Sequence, residues 1–200
     1  MYLKETSKVG YSTPEEIVQA AKENDAVGCI CRELLEMCDY LGVPCPNFGL
    51  IDWPVRSEDG TVYYGKACDE SNIQNGHRTI FVAKKDGFGV YLTDRQMVGI
   101  MAHELRHLQQ AENGKELVPL TSEASLNDRD EIDADAFGVF WLMRKGETPE
   151  KAMEYVCEDL NEAQEAYKVR VEQAKKMLEV KPTVYQRILA SLRRFAGWLG

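Results

Sequence analysis

Residues Met97 to Gln110 carry an apolar stripe with charge set inside it, and any fold for this chain must accommodate both. At about 100° per residue, Ile100, Met97, Leu108, Met101, Leu105 and Val98 fall on one arc of a helix, with His103 and His107 along one edge. Glu104 falls inside the arc. An ionised carboxylate between Ile100 and Leu108 is costly to bury without a partner. Residues four apart lie one turn apart on a helix face, so His103 and His107 offer two imidazole nitrogens to one metal ion, and zinc suits such a pair. A water on that ion would be the partner Glu104 needs, with the carboxylate acting as general base. The bland alternative is a solvated helix that carries these residues by chance. The chain has 3 histidines, and two of them are here.

Composition narrows the function classes. A chain of 200 residues can bury one substantial core, and nothing in its composition demands a second. A net charge of -9 argues against a nucleic-acid-binding surface. The charge is uneven, because residues 181–200 hold Lys181, Arg187, Arg193 and Arg194 and no acid. No apolar run approaches the ~20 residues that span a bilayer, and Met1 to Gly10 lacks the apolar core of a signal peptide, so the expected compartment is the cytoplasm. There Cys29, Cys31, Cys38, Cys45, Cys68 and Cys157 are expected as reduced thiols that act as small hydrophobes.

Local signals set the element order. Thr13-Pro14-Glu15-Glu16 starts a helix, and Ile17, Val18, Ala21, Ile30, Leu34, Leu35, Cys38 and Leu41 carry its stripe to about Leu41, with Gly28 as a candidate break. Gly42, Pro44 and Pro46 end it. Phe48–Trp53, Thr61–Lys66 and Arg78–Ala83 read as strands, with a short fourth over Gly87–Leu92 and turns at Asp59-Gly60 and Asn75-Gly76. An edge strand before the metal helix could hold an extended peptide, and Phe81 to Ala83 is the candidate; an ordinary sheet without a ligand is the alternative. His77 reads as a surface histidine. Thr93-Asp94-Arg95-Gln96 caps the metal helix, which ends near Gly114, and residues 114–127 form either a cover over the cleft or a plain connector.

From Asp128 a second helix sets Glu131 and Asp135 one turn apart on a stripe that continues through Gly138, Val139 and Leu142. A zinc held by two histidines needs a third protein ligand, leaving the fourth position for water. Glu131 is the candidate, and Asp135 is placed to accept a hydrogen bond from a ligand histidine's other ring nitrogen. Gly138 would let the two helices approach closely. Acids at Asp128, Asp130, Glu131 and Asp133 also complement the positive end of a helix, but that effect does not account for Asp135.

His103-Glu104-x-x-His107 followed by Glu131-x-x-Ala134-Asp135-Ala136-Phe137 resembles the gluzincin-type zinc metallopeptidases. Within them it is similar both to the small phage and mobile-element peptidases of the ImmA/IrrE type and to the M48 peptidases. Asp135 and Arg106 depart from the asparagine and glycine usual in the first, and the membrane spans of the second are missing. The resemblance covers about residues 48–143. It implies an α+β fold: a zincin-like minimal metallopeptidase domain over residues 1–147, with a small, mostly antiparallel sheet packed on helices. It also implies a zinc ion, a peptide or protein substrate and Glu104 as the base that later protonates the leaving amine.

Residues 148–200 form a helical C-terminal extension. Thr148-Pro149-Glu150 caps a helix expected to reach about Val180, packed on the same core. Residues 184–199 form a basic amphipathic helix, for which docking on the acidic body is favoured over peripheral contact with a membrane. The function expected is a zinc-dependent metalloendopeptidase acting on a regulatory protein. Its rival is a non-catalytic protein in which zinc holds two helices together and the C-terminal helices bind a partner.

Overall fold

The structure, a computed structural model, describes residues 11–56, 60, 62–68, 78–114, 128–156 and 164–180. It is α+β, with strands β1 (Tyr11–Ser12), β2 (Asn47–Ile51), β3 (Val55–Arg56), β4 (Val62–Tyr63), β5 (Gly65–Cys68) and β6 (Thr79–Ala83). The helices are α1 (Pro14–Ala20), α2 (Ala26–Leu41), α3 (Asp94–Glu112), α4 (Arg129–Arg144), α5 (Pro149–Val156) and α6 (Gln164–Glu179).

Both expected capping boxes form. Thr13 and Glu16 close the start of α1, and Thr93 and Gln96 close the start of α3, each side chain accepting from the other residue's backbone N–H. The first long helix is interrupted earlier than Gly28. Residues 21–25 leave the helix, and Asp25 caps a new one by accepting from the Gly28 N–H at 2.7 Å. Gly28 is needed for the approach of the two pieces, because a Cβ there would stand 2.2 Å from the Glu23 carbonyl oxygen. Gly42, at φ 73°, then ends α2 in the left-handed conformation.

The sheet is mixed, in the order β1-β2-β6-β5. β1 and β2 run antiparallel, β2 and β6 parallel, and β6 and β5 antiparallel. Phe81 to Ala83, expected as a free edge, is therefore interior: β2 pairs with it on one side and β5 on the other. Among the described residues the edge beside α3 is β5. The stretch over Gly87–Leu92 forms no strand, because Asp86 Oδ1 accepts from the Phe88 and Val90 N–H groups at 2.9 and 2.8 Å and closes a tight turn.

The core lies where α3 packs on the sheet on one side and on α2, α4 and α5 on the other, with α6 seated on α4. Met97, Val98, Met101, Leu105 and Leu108 are buried as the stripe requires. Tyr40, Phe137, Phe140 and Trp141 form an aromatic cluster with centroids 5.3–6.3 Å apart. The Trp141 indole N–H donates to Glu33 at 2.8 Å, so its polar edge is satisfied although the ring is buried. Gly138 does allow α3 and α4 to meet, since its added Cβ would lie 3.0 Å from the Gly99 carbonyl oxygen.

None of the described cysteines Cys29, Cys31, Cys38, Cys45 and Cys68 is in a disulfide, and burial raises the pKa of Cys31, with the charges of Cys45 and Asp25 adding to it. The helix expected from residue 148 to 180 is described as α5 and α6, on either side of residues 157–163. His77, Cys157, the turn at Asn75-Gly76, most of the segment 114–127 and the basic stretch 184–199 lie outside the described residues. No helix among the described residues is long and apolar enough to cross a membrane.

Candidate metal centre

α3 and α4 bring together three side chains that the sequence separates. The i, i+4 spacing sets His103 and His107 on one face of α3, and the first turn of α4 delivers Glu131 opposite them. The two histidine Nε2 atoms are 2.9 Å apart, and the Glu131 oxygens stand 3.5 Å from His103 Nε2 and 3.4 Å from His107 Nε2. Ligands about 2.05 Å from a tetrahedral ion lie about 3.3 Å from one another, so the separations of these donor groups are of the size found across one face of a zinc site. Ligand atoms of the three residues all lie within 4.8 Å of one another.

The outer nitrogens of both rings are engaged. His103 Nδ1 lies 2.8 Å from Asp135 Oδ1, and His107 Nδ1 lies 2.8 Å from Gln110 Oε1. Both partners accept, so each Nδ1 carries a proton, and in the ligating form of the rings each Nε2 turns a lone pair inward. Two lone pairs and a carboxylate then face one another across about 3 Å, an arrangement that repels unless a cation sits between them. The donor set therefore fits a divalent ion with nitrogen and oxygen ligands.

In the metal-free chain a proton takes that cation's place. Burial opposes charge on His103, but the hydrogen bond and charge of Asp135, with the charges of Glu104 and Glu131, push its pKa up to about 9. Burial likewise works against charge on Glu131 and Asp135. The hydrogen bond from His107 and the charge of His103 nonetheless hold Glu131 low, and His103 and Arg170 hold Asp135 low. Glu131 and Asp135 are thus held ready to act as anions.

Glu104 is buried, as its place inside the apolar arc requires. Glu104 Oε2 accepts from the Ala67 N–H of β5 at 2.6 Å. Ala83 N donates to Tyr64 O at 2.7 Å, which sets Tyr64, Lys66 and Cys68 as the positions bonded to β6 and turns the main-chain groups of Gly65 and Ala67 outward. Gly65 makes room for the carboxylate, because a Cβ there would lie 2.6 Å from Glu104 Oε1.

Asp133, an acid of the first turns of α4, belongs to the surroundings of the centre. It accepts from Arg106 Nε at 2.7 Å and from Gln110 Nε2 at 3.0 Å. Two further residues, Gln110 and Arg170, were not foreseen. Gln110 receives His107 through its oxygen, while its amide nitrogen donates to the Asp130 carbonyl at 2.9 Å, which fixes the amide's orientation. Its place three residues after His107 on one helix face was the available signal. Arg170, from α6, is 1 % exposed and donates from Nε to Asp135 Oδ2 at 2.6 Å. Comparison with known protein families, with curated proteins and with solved structures finds no match for this chain.

Proposed function

We propose that this chain is a zinc-dependent metallopeptidase of the zincin-like class, hydrolysing a peptide bond in a protein substrate. The observation that carries this reading is the meeting of His103, His107 and Glu131 through inward-facing donor atoms, with a buried carboxylate, Glu104, on the same helix as the histidines. Zinc held by the three residues would supply a Lewis acid and lower the pKa of water. Glu104 takes the proton of the attacking water at a carboxylate oxygen and returns it to the departing amine. Asp135 and Gln110 hold the two imidazoles in the tautomer that leaves Nε2 free to ligate. An extended peptide would lie along the outward face of β5, hydrogen-bonding its main chain beside Glu104.

One observation favours a second reading, in which the ion only ties α3 to α4. The Ala67 amide already satisfies one oxygen of Glu104, so the carboxylate has a structural use. Glu104→Gln separates the two. The amide side chain can still accept from Ala67 through its carbonyl oxygen, so the fold and about one zinc per chain should survive. Proteolysis of an unfolded substrate should fall by about 10²–10⁴-fold, the usual contribution of a positioned base. A variant that keeps its zinc and its full hydrolytic rate would refute the catalytic role. Zinc content by mass spectrometry in His103→Ala and Glu131→Ala tests the ligand set: both should lose it.

A further inference from the structure

Two residues of α6, one turn apart on one face, reach back to the metal centre by separate routes. Arg170 Nε donates to Asp135 Oδ2 at 2.6 Å, and the other oxygen of that carboxylate receives His103 Nδ1 at 2.8 Å. Gln173 Nε2 donates to Asp133 Oδ1 at 2.8 Å. The other oxygen of Asp133 accepts from Gln110 Nε2 at 3.0 Å, and Gln110 in turn receives His107 Nδ1 at 2.8 Å. Each metal-facing histidine is therefore the end of a relay that begins on α6. Val171 and Ala174, both buried, seat the same face of α6 on α4 and fix the distance over which the relays act.

We infer that α6 is a working part of the metal centre, with Arg170 and Gln173 as positioning residues that set the orientation of His103 and His107 and so the affinity for the ion. The inference rests on the zinc reading of the centre. A carboxylate held at one oxygen by a guanidinium cannot swing away from the ring it orients, and a carboxamide anchored at both ends cannot flip and present its N–H₂ to His107. Without Arg170 the His103 ring gains rotational freedom about χ2. On the His107 side Arg106 also holds Asp133 and the Asp130 carbonyl also holds Gln110, so loss of Gln173 loosens that ring less. In both cases the donor atoms must be re-ordered when an ion binds. The centre is thus complete only when α6 is seated on α4, and the C-terminal segment is bound up with the site rather than added to it.

The test measures zinc affinity of the full-length chain by competition with a chromophoric chelator, with the cobalt(II) absorption spectrum as a second readout of ligand geometry. Arg170→Lys keeps the charge but loses the directed Nε contact. Gln173→Ala removes a half-buried side chain and leaves the packing of Val171 and Ala174 intact. Outer partners of metal-bound histidines typically contribute about 10–100-fold to affinity. Arg170→Lys should weaken zinc binding by about that factor, and Gln173→Ala, one bond further from its histidine, by roughly 3–10-fold. Each should broaden or shift the cobalt spectrum. Glu172→Ala, on the exposed face of α6, should match the wild type. Circular dichroism of the metal-free proteins verifies folding, and Gln173→Ala alone decides the matter if Arg170→Lys fails to fold. Wild-type affinity and an unchanged cobalt spectrum in Gln173→Ala and in any folded Arg170→Lys would overturn the inference. A wild type that takes up no zinc would instead overturn the proposed function on which it stands.

Discussion

Gly138→Ala is a single methyl placed where α3 and α4 come closest. Its Cβ would meet the Gly99 carbonyl oxygen at 3.0 Å and the two Val156 methyls at 3.1 Å. The valine can give way slightly, but the carbonyl belongs to the hydrogen-bonded backbone of α3 and cannot. Overpacking of this kind costs about 1–3 kcal/mol, against which alanine regains about 1 kcal/mol over glycine within a helix. The net is a loss of about 1 kcal/mol, or roughly 2–4 °C in Tm for a chain of this size. Gly99→Ala is the control from the opposite helix. Its Cβ would approach the Leu142 Cδ1 and Val156 Cγ2 atoms at 3.0 Å, both ends of side chains that can move, so its net effect should be near zero. The strain reaches the metal centre, because Gly99 lies one turn before His103 and Gly138 nearly one turn after Asp135. Spreading the helices lengthens the reach from His103 to Asp135 and Glu131, and zinc affinity should fall with stability. Paired thermal melts, with and without zinc, measure both. If Gly138→Ala proves as stable as Gly99→Ala, the close approach does not have the role assigned to it.

Asp135→Asn should weaken zinc binding by about 10–100-fold. Without metal it should also destabilise the fold, because buried Arg170 loses its ion pair with Asp135; chelator competition and urea melts check the two effects. Saturating zinc at 100 times Kd should add about 2.7 kcal/mol, or roughly 5–10 °C in Tm, and a chelator should remove it. The pH response follows from His103. Its folded pKa of about 9 lies above the ordinary 6.5, so its contribution to metal-free stability is fully present below pH 6.5 and is lost as pH rises through about 9. Glu131 and Asp135 are shifted down from 4.5 and 3.8, so their contributions are present above those values and are lost as pH falls below them. Zinc must displace the His103 proton, so its apparent affinity should rise about tenfold per pH unit up to about 9. Calorimetry in buffers of different ionisation heat should count one proton released near neutral pH; none released would refute the charged state of His103.

What the sequence disclosed was set by short-range physics. The boxes at Thr13/Glu16 and Thr93/Gln96 are contacts across three residues, and so are fully written in the local sequence. The i, i+4 pair His103 and His107, and the one-turn offset of Glu131 from Asp135, follow from helical geometry alone. Strand order is different in kind. Phe81 was mistaken for an edge because its neighbours are decided by the pairing of Phe48 with Ile80 and of Ala67 with Ile80, far away along the chain. Nothing in the alternation of residues 78–83 says which strands flank them. The break after Ala20 was missed for a similar reason: Arg32 donates to the carbonyls of Ala21 and Glu23 at 2.8 and 2.7 Å, and so stabilises the gap from the following helix.

Arg170 shows how much more the same local logic could have yielded. Glu104 drew attention because a carboxylate inside an apolar arc must have a partner. Arg170 stands in the equivalent position on its own helix, since Tyr167, Val171 and Ala174 place it at i, i+3, i+4 and i+7 of one stripe. A guanidinium there is as costly to bury as a carboxylate, and a buried anion of matching stripe position was already in hand at Asp135. Charge matching between these two stripe positions pairs α6 with α4. The packing bears this out, with Arg170 almost fully buried against Asp135. The acid that orients His103 therefore has a cation behind it on a third helix. That is why residues 164–180 cannot be treated as an appendage to a metal centre built by α3 and α4.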